Sequence, residues 1–274
     1  MVTFPNAKIN LGLFVTERRT DGYHNLESVF YPVGWSDVLE ILPTDAQSSD
    51  ALTFRGTGLP IPGDEAGNLC LKAYHLLRAD HDLPPVRIHL HKAVPIGAGL
   101  GGGSADGAFT LKSLNGLFSL GLSDEQLEAY ARQLGSDCAF FVRNEPKFCF
   151  GKGDEFADVA LSLRGKWIVL VNPGLHISTA EAYAGIRPRS APVDLREAVQ
   201  QPLATWRDVV RNDFETHLLP KYPVIAELKQ QLYDAGAAYV SMTGSGSTVY
   251  GIFRDERNVA EQFPDFTTWQ GRLP

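Results

Sequence analysis

Six of the eleven residues from Gly97 to Gly107 are glycine. At the chain-wide frequency of 26 glycines in 274 residues, such a stretch would hold about one. Glycine loses more conformational entropy on folding than any other residue, so the cluster is costly unless the backbone must turn left-handed or let another group approach closely. A tight turn explains one or two glycines, not six. Residues 86–91 before it alternate apolar and polar like a strand, and residues 104–118 after it have helical spacing. A glycine-rich turn opening into a helix aims backbone N–H groups and the positive end of the helix dipole at one place, which is an anion site. Ser104, at the helix start, can cap it or reach a phosphate or a magnesium ion.

Two familiar phosphate loops do not fit. A Walker A loop needs Gly-Lys-Ser/Thr, and here Gly103 is followed by Ser104-Ala105-Asp106 with no lysine. Gly97, Gly99 and Gly102 satisfy G-x-G-x-x-G, but a dinucleotide fold needs an acidic residue about 20 positions on at a strand end. Asp124 and Glu125 instead open a helix, behind Ser123 of a Ser-x-x-Gln capping box.

The rest of the chain alternates strand and helix signals. Residues 2–15 and 28–42 favour strands on either side of an Asp21-Gly22 turn, and residues 56–67 read as a loop. Residues 68–78, 123–134, 179–183, 195–199 and about twelve residues between Pro223 and Gly236 read as helices. Residues 140–142, 147–150, 167–171, 240–242 and 248–253 read as strands. The pattern predicts two abutting α/β or α+β lobes, with the softest boundary near Leu163.

The formal charge of −7 and pI of about 5.5 make nucleic acid and anionic membranes poor partners. Apolar runs such as 167–171 are five residues long, far short of the roughly 20 that span a bilayer. The first fifteen residues are broken by Asn6, Lys8, Asn10 and Gly12, so they read as neither a signal nor a transit peptide. Cys70, Cys138 and Cys149 lie far apart without a CxxC pair, which fits small buried side chains in a reducing compartment. The expected location is the cytoplasm. His89 and His91 share a strand face but lack a third ligand, and Gly153-Asp154-Glu155-Phe156 reads as a turn into a strand.

Three motifs, in order and spanning nearly the whole chain, resemble those of the GHMP kinases. They are Asn6-Ala7-Lys8-Ile9-Asn10-Leu11-Gly12-Leu13, then Pro95-Ile96-Gly97-Ala98-Gly99-Leu100-Gly101-Gly102-Gly103-Ser104-Ala105, then Met242-Thr243-Gly244-Ser245-Gly246-Ser247-Thr248-Val249. Asp21-Gly22-Tyr23-His24-Asn25-Leu26-Glu27-Ser28-Val29-Phe30 and Leu134-Gly135-Ser136-Asp137-Cys138-Ala139-Phe140-Phe141 are similar to the branch that phosphorylates the 2-hydroxyl of CDP-methylerythritol in non-mevalonate isoprenoid synthesis. Ser136, Cys138-Ala139 and Asp106 depart from commoner residues there, beside functional positions.

The resemblance implies an α+β, two-lobed fold. Residues 1–163 would form a lobe like the second domain of ribosomal protein S5, and residues 164–274 a ferredoxin-like lobe. It also implies ATP as co-substrate, Mg2+, a small-molecule substrate and no obligate protein partner. Lys8 and Asp137 would be catalytic, although from spacing alone Lys8 is an ordinary strand lysine and Asp137 a turn or cap residue. Asp137 would accept the alcohol proton, and Lys8 would hold it and the hydroxyl in register, with positioning the larger contribution. Tyr23, Phe30 and Tyr183 would sandwich the cytosine while His24 reads its edge. Asn10 and Thr179 would bind the diphosphate or the erythritol hydroxyls, and Asn68 and Lys92 would lie near adenine. A homoserine or mevalonate kinase, or a nucleotide-binding module without catalysis, are the rivals. The 21–30 segment argues against the first, and the presence of both Lys8 and Asp137 against the second.

Overall fold

The computed structural model describes residues 1–44 and 52–274. In chain order the strands are β1 (Val2–Thr3), β2 (Asn6–Arg18), β3 (His24–Ser36), β4 (Val38–Pro43), β5 (Leu52–Gly58), β6 (Val86–Lys92), β7 (Lys147–Phe150), β8 (Glu155–Asp158), β9 (Trp167–Asn172), β10 (Tyr239–Met242), β11 (Val249–Phe253) and β12 (Thr267–Arg272). The helices are α1 (Leu69–Asp80), α2 (Gly102–Leu117), α3 (Asp124–Leu134), α4 (Phe140–Arg143), α5 (Thr179–Ala184), α6 (Leu195–Ala198), α7 (Trp206–Val209), α8 (Glu215–Lys221) and α9 (Pro223–Asp234). No helix among the described residues is long and apolar enough to cross a membrane.

These elements form two compact units, each assembled from discontinuous segments. The first comprises residues 1–7, 35–96 and 101–145. Its sheet has the order β1-β4-β6-β5, with β4 and β6 antiparallel and β5 parallel to β6. In β6, Val86, Ile88 and Leu90 point inward while Arg87 and His91 are exposed, the two-residue alternation of a half-buried strand. Helices α1 and α2 pack closely because α2 is rich in small residues. A Cβ on Gly107 would stand 3.0 Å from the Leu69 Cβ. Asn68 caps α1 by accepting from the Cys70 N–H, and the Ser123–Gln126 capping box at α3 is formed.

The second unit comprises residues 8–34, 97–100 and 146–274. One sheet has the order β10-β11-β9-β12, and the strands β2-β3-β7-β8 form another. Central β9 is apolar along nearly its whole length, since it is covered on both faces. Pro223 opens α9, and Ile225, Leu228 and Leu232 repeat on one face to join a core with Val169, Val240 and Phe253.

Three sequence expectations change. Residues 140–142 are not a strand but part of the one-turn helix α4, which Asn144 ends in a left-handed conformation while its N–H bonds the Phe140 carbonyl. A buried apolar triplet has no periodicity to distinguish the two states. The 56–67 loop is shorter than expected, because β5 continues in register with β6 to Gly58. Gly58 has φ +79°, and a Cβ there would lie 2.2 Å from the Lys92 carbonyl oxygen. Strand β12 was not expected. It pairs along β9, and Gly34 leaves room for its Trp269 ring, 3.2 Å from where a Cβ would be.

Candidate active site

Lys8 lies on β2 and is only 3% exposed, unlike an ordinary strand lysine. Its Nζ donates to Asn10 Oδ1 at 2.7 Å and to the Gly99 carbonyl at 3.3 Å, and it stands 4.7 Å from the centre of the Phe30 ring. The Lys8 N–H bonds the Leu100 carbonyl. The glycine loop is therefore tied to β2 through both backbone and side chain. Asn10 is held in turn. Its Nδ2 donates to Ser28 Oγ at 2.9 Å, its N–H donates to Thr243 Oγ1, and its carbonyl accepts from Tyr250 Oη at 2.7 Å. Thr243 Oγ1 donates to the Gly99 carbonyl at 2.9 Å. Burial makes each of these bonds matter, because an unpaired polar group there costs about 1–3 kcal/mol.

The loop glycines serve different ends. Gly97, Gly99 and Gly101 have φ of +65°, +78° and +71°, where side chains are strained. At Gly99 a Cβ would also sit 2.0 Å from the Thr243 carbonyl oxygen. The second glycine motif, 242–249, thus packs against the first. Asn212 fixes it by donating to the Met242 and Gly244 carbonyls at 2.9 and 2.8 Å. Gly102 has Lys92 Nζ 3.3 Å from a would-be Cβ. Gly103 does not have positive φ, and a Cβ on it meets nothing within 4 Å. Neither packing nor conformation demands glycine there, which leaves open space over the first turn of α2. That turn has no side-chain cap and no acidic residue, so its free N–H groups are available to an anion.

The first unit holds Asn68, Lys92 and Asp137. Asn68 and Lys92 line a recess of about 200 Å³ with Leu69, Ile96, Gly103 and Asp106. Lys92 is buried and pairs with two carboxylates, Asp37 and, at 2.8 Å, Asp106. Asp37 also accepts the Ala93 and Val94 N–H groups. Burial pushes the Asp106 carboxyl up to about 8 against the attraction of Lys92, and Asp37 beside the same ammonium raises it further. Burial alone would lower Lys92, but Asp106 and Asp37 hold it above its ordinary value. Asp106 Oδ1 is buried without a hydrogen-bond partner. Asp137 is half-buried in the 136–139 turn before α4. Its neighbour Cys138 is buried beside the Ser104 side chain, and burial pushes its thiol up to about 12.

The aromatic residues are partly gathered, all in the second unit. His24 and Tyr183 stack with centroids 4.8 Å apart, and Tyr183 also meets Phe214 edge-on at 4.9 Å. Burial, aided by Arg18, lowers the His24 pKa. Phe30 is 3% exposed and packs edge-on to Phe156, whereas Tyr23 is 62% exposed with Lys152 Nζ 5.3 Å from its ring centre. Thr179 is the exposed first residue of α5, whose cap is Ser178.

The sequence matches the GHMP kinases N terminal domain over residues 68–145 and the GHMP kinases C terminal domain over residues 195–266. It is 50% identical to the 4-diphosphocytidyl-2-C-methyl-D-erythritol kinase of Bacteroides thetaiotaomicron over 95% of each chain. With the enzyme of that name from Cytophaga hutchinsonii it shares 51% identity over 92% of each. The chain belongs to the 4-diphosphocytidyl-2-C-methyl-D-erythritol kinase branch of the GHMP kinases. A crystal structure of 4-(cytidine 5'-diphospho)-2C-methyl-D-erythritol kinase superposes with a TM-score of 0.83 at 31% identity, covering 99% of this chain and 98% of that one.

Kinases of this family take ATP as phosphoryl donor. Sequence reasoning gave no role to Thr243, Ser28, Asn212 or Asp37. Thr243 stood in a quoted motif and could have been found there. Asp37 carried a weaker signal, a lone acid between two strand-like runs. His89 and His91 both face Thr57 Oγ1, at 2.9 and 3.1 Å.

Proposed function

We propose that this kinase transfers the γ-phosphoryl group of ATP to the 2-hydroxyl of 4-diphosphocytidyl-2-C-methyl-D-erythritol, with Lys8 and Asp137 carrying the chemistry. The observation that supports it most is the buried Lys8 ammonium, fixed by Asn10 and by the carbonyl of Gly99 in the glycine loop itself. A cation so placed stabilises charge developing on the accepting oxygen and the transferred phosphoryl group. Asp137 accepts the alcohol proton as the new P–O bond forms and the bond to ADP breaks. The loop from Pro95 to Ala105 holds the phosphates through backbone N–H groups, and Asn68 and Lys92 border the adenine.

Tyr23, Phe30 and Tyr183 contact the cytosine, and His24, oriented by its stack on Tyr183, reads the polar edge of the base. Asn10 and Thr179 serve the diphosphate and the erythritol hydroxyls. The two GHMP matches fall on either side of residue 163, which suits functional lobes of residues 1–163 and 164–274.

Magnesium fits the donors present. Ser104 and Asp137 both neighbour Cys138 and offer hard oxygen atoms. Mg2+ is usually held by one or two carboxylates together with substrate phosphates. It would neutralise charge on the ATP phosphates. The distinguishing experiment is ADP release with CDP-methylerythritol, homoserine and mevalonate offered separately. Turnover is expected only with the first, and preference for either of the others overturns the substrate assignment.

A further inference from the structure

A recess of about 390 Å³ opens where α9 ends and β10 begins, lined by Arg207, Tyr233, Gly236, Arg254, Asp255 and Arg257 among others. None of these residues belongs to the site described above. The Arg207 guanidinium lies over the Tyr233 ring, 4.3 Å from its centre, and Tyr233 Oη donates to the Val240 carbonyl. Stacking fixes the guanidinium plane and leaves its N–H edges free. Gly236 has φ +94°, and a Cβ there would stand 3.2 Å from Arg257 Nη1, so the glycine makes room for that side chain. Arg257 Nη1 donates to the Ala235 carbonyl at 3.3 Å. Arg254 is exposed and has no hydrogen bond, ring contact or ion pair among the described residues.

Among the described residues no carboxylate lies within 4.0 Å of any of these three guanidiniums. Elsewhere in this acidic chain Arg19, Arg143, Arg196 and Arg272 each close on an Asp or Glu. Among the lining residues, three guanidiniums and the single carboxylate of Asp255 leave an excess of two positive charges, with Asp208 the further acid that acts on Tyr233 beside Arg207. A single phosphate, nearly a dianion at neutral pH, already balances that charge but offers its oxygens from one centre. Two linked phosphates carry at least as much charge and offer a separate set of paired oxygens to each of two guanidinium forks. We propose that this recess is a second ligand site, specific for a diphosphate group, with Arg207 and Arg254 as its principal donors.

The test is isothermal titration of the full chain with inorganic pyrophosphate and, separately, with orthophosphate. Wild type is expected to bind pyrophosphate more tightly than orthophosphate. Arg254→Ala, which removes no hydrogen bond, ion pair or ring contact among the described residues, is expected to weaken pyrophosphate by about tenfold, the loss of one charge-assisted pair. Arg254→Lys keeps the charge but not the fork and is expected to restore only part of the affinity. Gly103→Val, which obstructs the phosphate loop, is expected to leave this binding in place. Equal affinity for the two anions, no binding at all, or binding abolished by Gly103→Val and unchanged by Arg254→Ala would each overturn the proposal.

Discussion

Lys8 Nζ stands 2.7 Å from Asn10 Oδ1, and the two side chains share one face of β2 because they are two residues apart. Asn10 Nδ2 is taken by Ser28, so its amide oxygen is turned toward the ammonium. The arrangement fixes a flexible lysine, and for the role proposed for Lys8 that preorganisation counts because phosphoryl transfer is governed by positioning.

If Lys8 and Asp137 act as one unit, Lys8→Met and Asp137→Asn should each lower kcat by at least about 10²-fold, the lower range for acid–base groups. The double variant should be little worse than the worse single, because effects within a unit do not multiply. Steady-state kinetics on the three variants decide it. Fully multiplicative losses mean the two act separately, and near-normal turnover by either single variant removes that residue from the mechanism.

The glycines of the loop should separate by role. Gly103→Val places its side chain in open space, so the unfolding midpoint should match wild type while the KM for ATP rises by about tenfold or more. Gly99→Ala drives a Cβ against the Thr243 carbonyl, at a positive φ, and should lower the unfolding midpoint itself. Denaturation curves and ATP kinetics on the two variants check both. A Gly103→Val enzyme with unchanged ATP kinetics would show that no phosphate approaches there.

Asp106 should make stability depend on pH. Its folded pKa is about 8, above the ordinary 3.8, so its contribution is fully present below about pH 4 and is lost as pH rises toward 8. Lys92 adds no slope in this window. Its pKa is raised too, so its contribution is present below its ordinary 10.5 and is lost only above that. Asp106→Asn keeps an acceptor for Lys92 and removes the titration. Relative to wild type, the variant should therefore become progressively more stable between pH 5 and pH 8 in urea unfolding. A difference that stays constant with pH, or runs the other way, would contradict the assignment.

Tyr23 tests the base contacts cleanly, because at 62% exposure its removal costs little packing. Stacking of a base on one aromatic ring is worth about 1–3 kcal/mol. Tyr23→Ala should then weaken the cytidyl substrate by about 5- to 150-fold while the KM for ATP holds. A uridine analogue should be poorly used by wild type, since it reverses the donor–acceptor edge that His24 is proposed to read. Equal use of free methylerythritol and its cytidylyl form would mean there is no base pocket.

Much of this was legible before any coordinates. Glycine density marked a loop whose backbone turns left-handed at Gly97, Gly99 and Gly101, and Ser123, Pro223 and Gly236 marked helix ends, because capping and φ preferences act locally. What escaped depends on partners distant in sequence. The burial of Lys8 follows from Asn10, Gly99 and Phe30 together, and nothing in an alternating strand announces it. The pairing of Lys92 with Asp37 and Asp106 joins three separate elements. Phe140-Phe141-Val142 shows the opposite limit, a segment too short for its period to be read.

The reaction itself is tested most directly by 31P NMR of the protein mixed with ATP, Mg2+ and 4-diphosphocytidyl-2-C-methyl-D-erythritol. The expected result is one equivalent of ADP and one new phosphomonoester resonance on a substrate that keeps both phosphorus atoms of its diphosphate. Release of CMP, or conversion of ATP to ADP and inorganic phosphate with the substrate unchanged, would contradict a kinase acting on this alcohol.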